Sequence, residues 1–354
     1  MAKIFQAALQ NGASDIHITS GHPPVLRVAG ALRELSLPPM STDECREVLL
    51  PLLNDEQQRR FDETLDMDFC YDGGEKFGRF RTNYFVEREG MDAVFRLISE
   101  KVPTMEELKL PEQIGRLTEA STGIVLVTGP KSSGKTTTLA AMIDLINNTR
   151  REHILTIEDP IEFIHTPKKA YLTQREVGTH THTFGTALTG AMHEAPDVIM
   201  VGELRDLETT SLVITAAETG FLVLTTLHTP DAIRTIGRIL GVFPAREQAQ
   251  IRSMLAKSLR GIVSQQLVPS PDGKSQALAV EVLVNTPAIG NLIRENRTFQ
   301  LPSLMQVGGR AGMMMMDDSL IRLARNGEIS KDEALARAAD DHKVRGELQI
   351  SAEE

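Results

Sequence analysis

The chain has 354 residues, of which 41% are hydrophobic and 24% are charged, and its formal net charge is −10. This composition is close to that of an average soluble protein and excludes a disordered chain, a collagen and a coiled-coil rod. Since nucleic-acid-binding proteins usually carry a basic surface, the acidic balance argues against a nucleic-acid partner. The length predicts about two domains.

Targeting and redox signals are few. No stretch reaches the ~18–20 uncharged apolar residues that span a bilayer, and the first residues lack the apolar core of a signal peptide. The two cysteines, Cys45 and Cys70, cannot build a disulfide framework or a four-cysteine zinc site. A reducing, cytoplasmic protein is the simplest expectation.

The N-terminal residues 1–98 are predicted to form a small mixed α/β domain. Short apolar runs around turn residues indicate strands, and apolar residues at helical spacing indicate a helical stretch. In chain order these are strands at 16–18 and 25–28, a helical stretch at 41–65 and hairpin strands at 77–86 and 93–98. The charged residues 99–111, which contain two prolines, are predicted to be a linker.

The remaining residues, 112–354, carry a different pattern. Fully apolar runs alternate with helical stretches and lie at 124–127, 154–157, 198–201 and 222–224. Short apolar strands separated by helices predict an α/β domain with a parallel sheet that is buried on both faces. We also expect a helical stretch at 231–264, a hairpin formed by 266–268 and 277–284, and short amphipathic helices from Pro287 onward.

A phosphate-binding loop is predicted at residues 129–136, which read Gly-Pro-Lys-Ser-Ser-Gly-Lys-Thr and match G-x-x-x-x-G-K-[ST]. The preceding apolar strand and the following helical stretch supply the context that the motif requires. Lys135 would reach the phosphate oxygens and Thr136 would bind Mg²⁺. The expected nucleotide-binding residues are Gly129, Ser132, Ser133, Gly134, Lys135, Thr136 and Thr137.

Two acidic residues follow predicted strands of the same sheet. Glu203 comes after the strand at 198–201, and Glu158 ends the strand at 154–157. An acid at such a strand end can hold Mg²⁺ through water, and a second one can activate the attacking water. The alternative is that either acid is a solvated residue at the end of its strand.

Several motifs occur in a fixed order along the chain. They are Gly12–His17, Arg79–Asn83, the phosphate-binding loop, Thr156–Glu162, Pro196–Asp206 and Thr225–Thr229. Together they resemble the secretion-ATPase superfamily of type II secretion and type IV pili. The short N-terminal domain and residues 288–295 (AIGNLIRE) resemble its pilus retraction motors.

The resemblance implies a homo-hexameric ring whose subunits hydrolyse ATP with Mg²⁺ to drive pilus disassembly and twitching motility. Each subunit would have a PAS-like N-terminal domain and a RecA-like P-loop ATPase core with C-terminal helices, with ATP bound between the two. The ring would be cytoplasmic and peripheral at the inner membrane. Its partners would be an inner-membrane pilus platform protein and a paralogous retraction ATPase.

The resemblance also implies roles for five residues outside the loop. Glu158 would polarise the attacking water, Glu203 would be the atypical acid of the Walker B strand and a metal ligand, and His228 would sense the γ-phosphate. Arg79 and Arg81 correspond to N-terminal-domain arginines that approach the phosphates. The alternative, from the strand pattern alone, is that these two arginines lie on an exposed strand face.

The sequence departs from the family pattern at several positions. Ser132 stands where glycine is usual, which matters if that residue requires a positive φ. His193 and Ala195 replace the usual Arg and Asp, and Gly290 replaces an Arg within a helix, at a cost of up to ~1 kcal/mol in helix propensity. These changes motivate an alternative in which the chain is a weakly hydrolysing accessory subunit of a mixed motor.

Two further interpretations are disfavoured. A pilus assembly or type II secretion ATPase usually carries a four-cysteine zinc insert, which this sequence does not contain. His180 and His182 have the spacing of a metal site, but no further ligands follow at a suitable spacing, so we expect ordinary loop histidines.

Overall fold

The computed structural model describes residues 1–28, 30–98 and 101–350. The chain divides into two compact units. The first comprises the described residues up to Lys101 together with Asp159–Ile164, and the second comprises Val102–Glu158 together with the described residues from His165 onward. Ser99 and Glu100, the first two residues of the predicted linker, lie outside the described residues.

The first unit contains one antiparallel sheet among its described residues, in the order β3-β2-β1-β6-β5-β4. Its strands are β1 (Ala13–Ile18), β2 (Val25–Val28), β3 (Ala31–Glu34), β4 (Asp66–Asp72), β5 (Arg79–Glu87) and β6 (Gly90–Ile98). Its helices are α1 (Ala2–Gln10), α2 (Thr42–Leu49), α3 (Asp55–Thr64) and the short α4 (Gly74–Phe77).

The two faces of this sheet differ in chemistry. Along β5, Phe80, Thr82 and Tyr84 are buried, whereas Arg79 and Arg81 alternate with them on the other face. Alternation of this kind is typical of a sheet with one face on the core. Helices α2 and α3 each begin with a capping box, which satisfies backbone N–H groups that the helix itself leaves without a partner.

The second unit is built on a sheet in the order β13-β12-β7-β11-β10-β8-β9 within the described part of the chain. All neighbouring strands are parallel except β12 and β13, which form an antiparallel pair. They are β7 (Gly123–Thr128), β8 (His153–Glu158), β9 (Tyr171–Glu176), β10 (Val198–Val201), β11 (Leu222–Leu227), β12 (Leu259–Pro269) and β13 (Gln276–Val284). The predicted mixed α/β fold with a parallel sheet is confirmed.

Helices cover both faces of this sheet. Successive residues of β7 alternate between two hydrophobic clusters, with Ile124 and Leu126 in one and Val125 and Val127 in the other, as expected for a strand buried on both sides. The helices are α5 (Glu112–Leu117), α6 (Lys135–Thr149), α7 (Phe184–Ala191), α8 (Leu207–Thr219), α9 (Ala232–Gly241), α10 (Gln248–Ser258), α11 (Pro287–Arg294), α12 (Leu301–Val307), α13 (Met316–Arg325), α14 (Lys331–Ala336) and α15 (Asp341–Leu348).

The prediction of a helical stretch over 231–264 was wrong at its end. Two helices occupy the first part, but the chain turns into strand β12 at Leu259. Residues 259–264 pair in parallel with β7, and this pairing overrides the local helical spacing.

Gly290 has a packing role in the helix where the family pattern has an arginine. A Cβ atom at this position would lie 3.0 Å from the backbone oxygen of Ala256. The glycine therefore allows α11 to approach the end of α10 closely, in addition to lowering helix propensity.

No helix among the described residues is long and apolar enough to cross a membrane.

Candidate nucleotide-binding and catalytic site

Four neighbouring strands of the second sheet bring the predicted site residues to one edge. Strands β7, β11, β10 and β8 are adjacent and parallel. The phosphate-binding loop follows β7, His228 follows β11, Glu203 follows β10 and Glu158 ends β8. Ligands of open α/β sheets bind at the carboxyl ends of the strands, which is where these residues lie.

The start of the loop accepts only glycine. Gly129 has a φ of +146°, and a Cβ atom there would lie 2.2 Å from the backbone oxygen of Gln265 and 2.6 Å from Ser133 Oγ. Gln265 also donates a hydrogen bond from Nε2 to the Ser133 carbonyl oxygen at 2.5 Å. Strand β12 therefore holds the loop against the sheet, a role for Gln265 that the sequence analysis missed.

Ser132 occupies a left-handed conformation, with a φ of +62°. The expectation that the missing glycine would matter applies here, because a non-glycine residue in this region costs roughly 1–2 kcal/mol. Ala195 is also left-handed, with a φ of +50°. The aspartate of the family pattern tolerates that conformation better than alanine does.

The ammonium group of Lys135 lies inside the curl of the loop. Its Nζ donates to the carbonyl oxygens of Gly129 at 3.0 Å and Pro130 at 2.8 Å, and Lys135 is 7% exposed. Burial lowers the pKa of Lys135, and the nearby carboxylate of Glu203 opposes that change. A buried cation at the start of helix α6 is a suitable group for binding phosphate.

His228 lies between this lysine and Glu203. Lys135 Nζ lies 3.0 Å from His228 Nδ1, and His228 Nε2 lies 3.1 Å from Glu203 Oε1. Because an ammonium group can only donate, Nδ1 accepts and the imidazole proton is on Nε2, where it donates to the carboxylate. Arg205 Nε donates to the other oxygen of Glu203 at 3.1 Å. The structure thus brings three predicted site residues into one hydrogen-bonded row.

Glu158 is the last residue of β8, which pairs with β10, the strand that precedes Glu203. It is 5% exposed, and its Oε1 accepts hydrogen bonds from Thr156 Oγ1 at 2.7 Å and Gln174 Nε2 at 3.2 Å. The two strand ends approach closely, since the Gly202 N–H donates to the Ile157 carbonyl oxygen at 2.8 Å. The sequence analysis did not single out Gln174 as a partner of this acid.

The remaining loop residues fit a phosphate-bearing ligand. Ser133 is buried, and its hydroxyl has no hydrogen-bond partner among the described residues. Gly134 has a φ of +84° and precedes the first residue of α6, and Thr136 and Thr137 are half-buried in the first turn of that helix. An unpartnered buried hydroxyl beside the first N–H groups of a helix favours an anion at this position.

The two predicted arginines belong to the first unit and lie on β5. Arg81 donates from Nη1 to Glu162 at 2.9 Å and from Nη2 to Asp68 at 2.8 Å. Although burial acts in the opposite direction, these two carboxylates raise the pKa of Arg81. Arg79 Nη1 is buried and has no hydrogen-bond partner within the described residues.

The histidine pair at 180 and 182 lies in the loop before α7. His180 Nδ1 accepts a hydrogen bond from the backbone N–H of Glu176 at 3.0 Å. Across residues 1–28, 30–98 and 101–350, no group of three His, Cys, Asp or Glu side chains is arranged to hold a metal ion. A magnesium ion that binds through one hydroxyl, one acid, water and phosphate needs no such group.

The chain matches the family of type II/IV secretion system proteins over residues 1–339. It is 46% identical over 338 residues to the type IV pilus retraction ATPase PilT of Pseudomonas aeruginosa, across 96% of this chain and 98% of that protein. It is 40% identical over 351 residues to the type IV pilus ATPase PilU of the same organism, across 99% of this chain and 92% of that protein.

A solved structure agrees with these sequence matches. The crystal structure of the pilus retraction motor PilT with bound ADP superimposes with a TM-score of 0.89 at 41% identity, over 97% of this chain and 98% of that one. The chain therefore belongs to the type II/IV secretion system protein family and is an ATPase of its type IV pilus retraction group.

Proposed function

We propose that this chain is a subunit of an ATP-hydrolysing motor that powers type IV pilus retraction and hence twitching motility. The observation that carries the proposal is the row from Lys135 through His228 to Glu203, found in a chain that matches PilT of Pseudomonas aeruginosa over 96% of its length. That relative is named a retraction ATPase, and a solved structure of a pilus retraction motor PilT contains ADP.

ATP is the substrate, and the phosphate-binding loop is where its phosphates would bind. Gly129, the buried Ser133 hydroxyl and the ammonium of Lys135 all belong to this loop, and Lys135 Nζ donates to the Gly129 carbonyl oxygen. Thr136 and Glu203 would hold Mg²⁺, which when bound neutralises charge on the phosphate oxygens.

His228 is suited to report the presence of the γ-phosphate. In the structure Lys135 Nζ donates hydrogen bonds to two loop carbonyl oxygens and to the imidazole of His228. An anionic phosphate is a stronger acceptor for an ammonium group than a neutral imidazole is. Substrate binding would therefore draw Lys135 from His228, and the change would reach Glu203 through the Nε2 hydrogen bond.

Glu158 is our candidate for the group that orients and activates the attacking water. It is buried at the edge of the sheet, and its Oε1 accepts hydrogen bonds from Thr156 and Gln174. A carboxylate at this strand end can accept a proton from the attacking water.

The larger assembly is also part of the proposal. We propose that residues 1–98 are a PAS-like domain, 99–111 a linker and 112–354 a RecA-like core with C-terminal helices, and that six chains form a ring. The ring would act at the cytoplasmic face of the inner membrane on a pilus platform protein. Arg79 and Arg81 would stabilise charge on the transferred phosphoryl group, for which Arg81 must exchange its carboxylate partners for phosphate.

A second candidate is an accessory subunit that binds ATP and turns it over slowly within a mixed motor. The left-handed Ser132 and Ala195 favour it, because both positions depart from the family pattern at strained backbone conformations. The 40% identity to PilU is also compatible with a chain that acts as the second ATPase of a mixed motor.

The experiment measures ATP turnover by the purified chain, the Lys135→Ala variant and Lys257→Ala, an exposed lysine of α10. We expect turnover in the first and third and a loss of at least ~100-fold in the second, since one charged contact to the transition state is removed. Measurable turnover that is equal in all three would refute the assignment. Turnover that appears only when a paralogous motor is added would favour the accessory subunit.

The cellular role needs a separate measurement. Deletion of the gene should increase the number of surface pili and abolish twitching if the chain powers retraction. Cells without pili would indicate an assembly motor instead. The Lys135→Ala variant should fail to restore twitching, whereas Lys257→Ala should restore it.

A further inference from the structure

We propose that Gln174 is a positioning residue for Glu158, and that its side-chain amide sets the direction of the catalytic carboxyl group. This inference rests on the proposed role of Glu158 in activating water. It goes beyond that role because it assigns a function to a residue of strand β9, which contributes none of the predicted site residues.

The register of two strands places the three side chains together. Strands β8 and β9 are parallel, and Thr156 is paired with Gln174. Glu158 lies two residues further along β8 and therefore on the same face as Thr156. A glutamine side chain is long enough to reach that diagonal neighbour across a strand pair, and Gln174 Nε2 is 3.2 Å from Glu158 Oε1.

The orientation of the Gln174 amide is forced by a backbone group. The His165 N–H donates to Gln174 Oε1 at 2.9 Å. If the amide were flipped, its NH₂ group would face another donor and its oxygen would face a carboxylate oxygen. The NH₂ group must therefore point at Glu158.

The two hydrogen bonds of Gln174 also hold the ends of the segment Asp159–Ile164. The segment Asp159–Ile164 belongs to the first unit, so the chain leaves the second unit after Glu158 and returns to it at His165. Gln174 bonds the carboxylate at the start of this excursion and the N–H at its end. One side chain therefore ties both ends of the segment to strand β9.

Two donors converge on one oxygen of Glu158. Thr156 Oγ1 and Gln174 Nε2 both bond Oε1, which fixes the rotation of the carboxyl group about its last side-chain bond. Correct orientation of a catalytic group contributes to the rate of the chemical step without changing how tightly the substrate binds.

The test compares Gln174→Met, which keeps the length of the side chain but cannot form either hydrogen bond, with Thr173→Val. The control residue is also on β9 and loses a hydrogen bond to His153 of β8, but it makes no hydrogen bond to Glu158 in the structure. We expect kcat of Gln174→Met to fall about tenfold, with the KM and the Kd for ATP unchanged within about twofold. Thr173→Val should retain the wild-type kcat.

A double-mutant cycle separates positioning from a purely structural role. If Gln174 acts through Glu158, then Gln174→Met causes no further loss of kcat in a Glu158→Gln background. An equal loss in both backgrounds, or full activity of Gln174→Met, overturns the proposal. Full activity of Glu158→Gln would refute the role of Glu158 and this inference together, whereas the Lys135→Ala result tests ATP hydrolysis independently.

The variant Gln174→Glu tests the same role of Gln174 if turnover in the Glu158→Gln background is too low to measure, or if Gln174→Met does not fold. In Gln174→Glu, a protonated side chain can donate to Glu158, whereas the ionised form repels it. Its kcat relative to wild type should therefore rise as the pH falls. A pH profile parallel to that of the wild type would overturn the proposal.

Discussion

Stability of the second unit should depend on pH through a buried glutamate on strand β13. Glu281 is 8% exposed, and its Oε1 accepts a hydrogen bond from the Ala232 N–H at the start of α9 at 2.9 Å. Burial raises the pKa of Glu281 to about 7, the carboxylates of Asp231 and Asp317 add to the rise, and the Ala232 hydrogen bond acts against it. The folded chain therefore favours the protonated acid.

The sign and size of the effect follow from linkage. The folded chain holds a proton that the unfolded chain, with a pKa of 4.5 at this group, has already released. The stabilisation is complete below the unfolded pKa and is lost as the pH rises through the folded value near 7. A difference of about 2.5 pKa units corresponds to about 3 kcal/mol, present at pH 4 and absent at pH 8.

The Glu281→Gln variant removes this titration and keeps an acceptor for the Ala232 N–H. We expect its Tm to match that of the wild type near pH 5 and to exceed it at pH 8 by about 6 °C or more. Thermal unfolding between pH 5 and pH 9 measures both, with Glu218→Gln on the exposed side of α8 as the matched control. If the difference in Tm between wild type and Glu281→Gln does not change with pH, the reasoning about Glu281 is wrong.

Three substitutions test the nucleotide site. Gly129→Ala should abolish ATP binding in a titration with fluorescent ATP, because its Cβ clashes with the adjacent strand. The control Gly237→Ala should bind ATP normally, since a Cβ there meets no described atom within 4 Å. Normal binding by both variants would contradict the clash. His228→Ala should lower kcat by at least about tenfold with little change in Kd for ATP, since it removes the link from Lys135 to Glu203. An unchanged kcat would exclude the proposed sensing role. Ser132→Gly should relieve the strain of a φ of +62° and, after the entropy cost of glycine, raise stability by up to about 1 kcal/mol in thermal unfolding; a lower Tm would show that no strain was stored.

Local patterns accounted for the part of the site that the sequence predicted. A phosphate-binding loop is a contiguous motif between a strand and a helix, and apolar runs reveal buried parallel strands wherever they lie. The two acids at the strand ends followed once the sheet was inferred, because parallel strands place their carboxyl ends at one edge. His228 was expected only from the resemblance to the secretion ATPases.

Long-range contacts were beyond the same reasoning. Arg81 and Glu162 are 81 positions apart in sequence, and no periodicity relates them. Gln265 is 1% exposed on β12, and a buried polar residue within an apolar strand was a usable signal. It was missed because residues 259–264 were assigned to a helix, so the strand that supports the loop was seen only in part.

Gln174 illustrates a different limit. Its sequence neighbours are polar, and half-buried positions along β9 give no alternation that would reveal a partner. Only the register of two parallel strands shows that it faces Glu158. A residue such as Gln174, which we propose to orient Glu158, is thus harder to predict from sequence than the acid itself.

The path of the chain through Asp159–Ile164 limits how the protein can be divided. A fragment that begins at Val102 would still contain this segment but not the N-terminal residues with which it clusters. Ile161 and Phe163 are 8% and 9% exposed in the intact chain, so such a fragment would present new apolar surface to the solvent and be prone to aggregate. A fragment that ends at Lys101 would lack Glu162, the acid that pairs with Arg81. The two units are therefore not separable by a single cut of the gene.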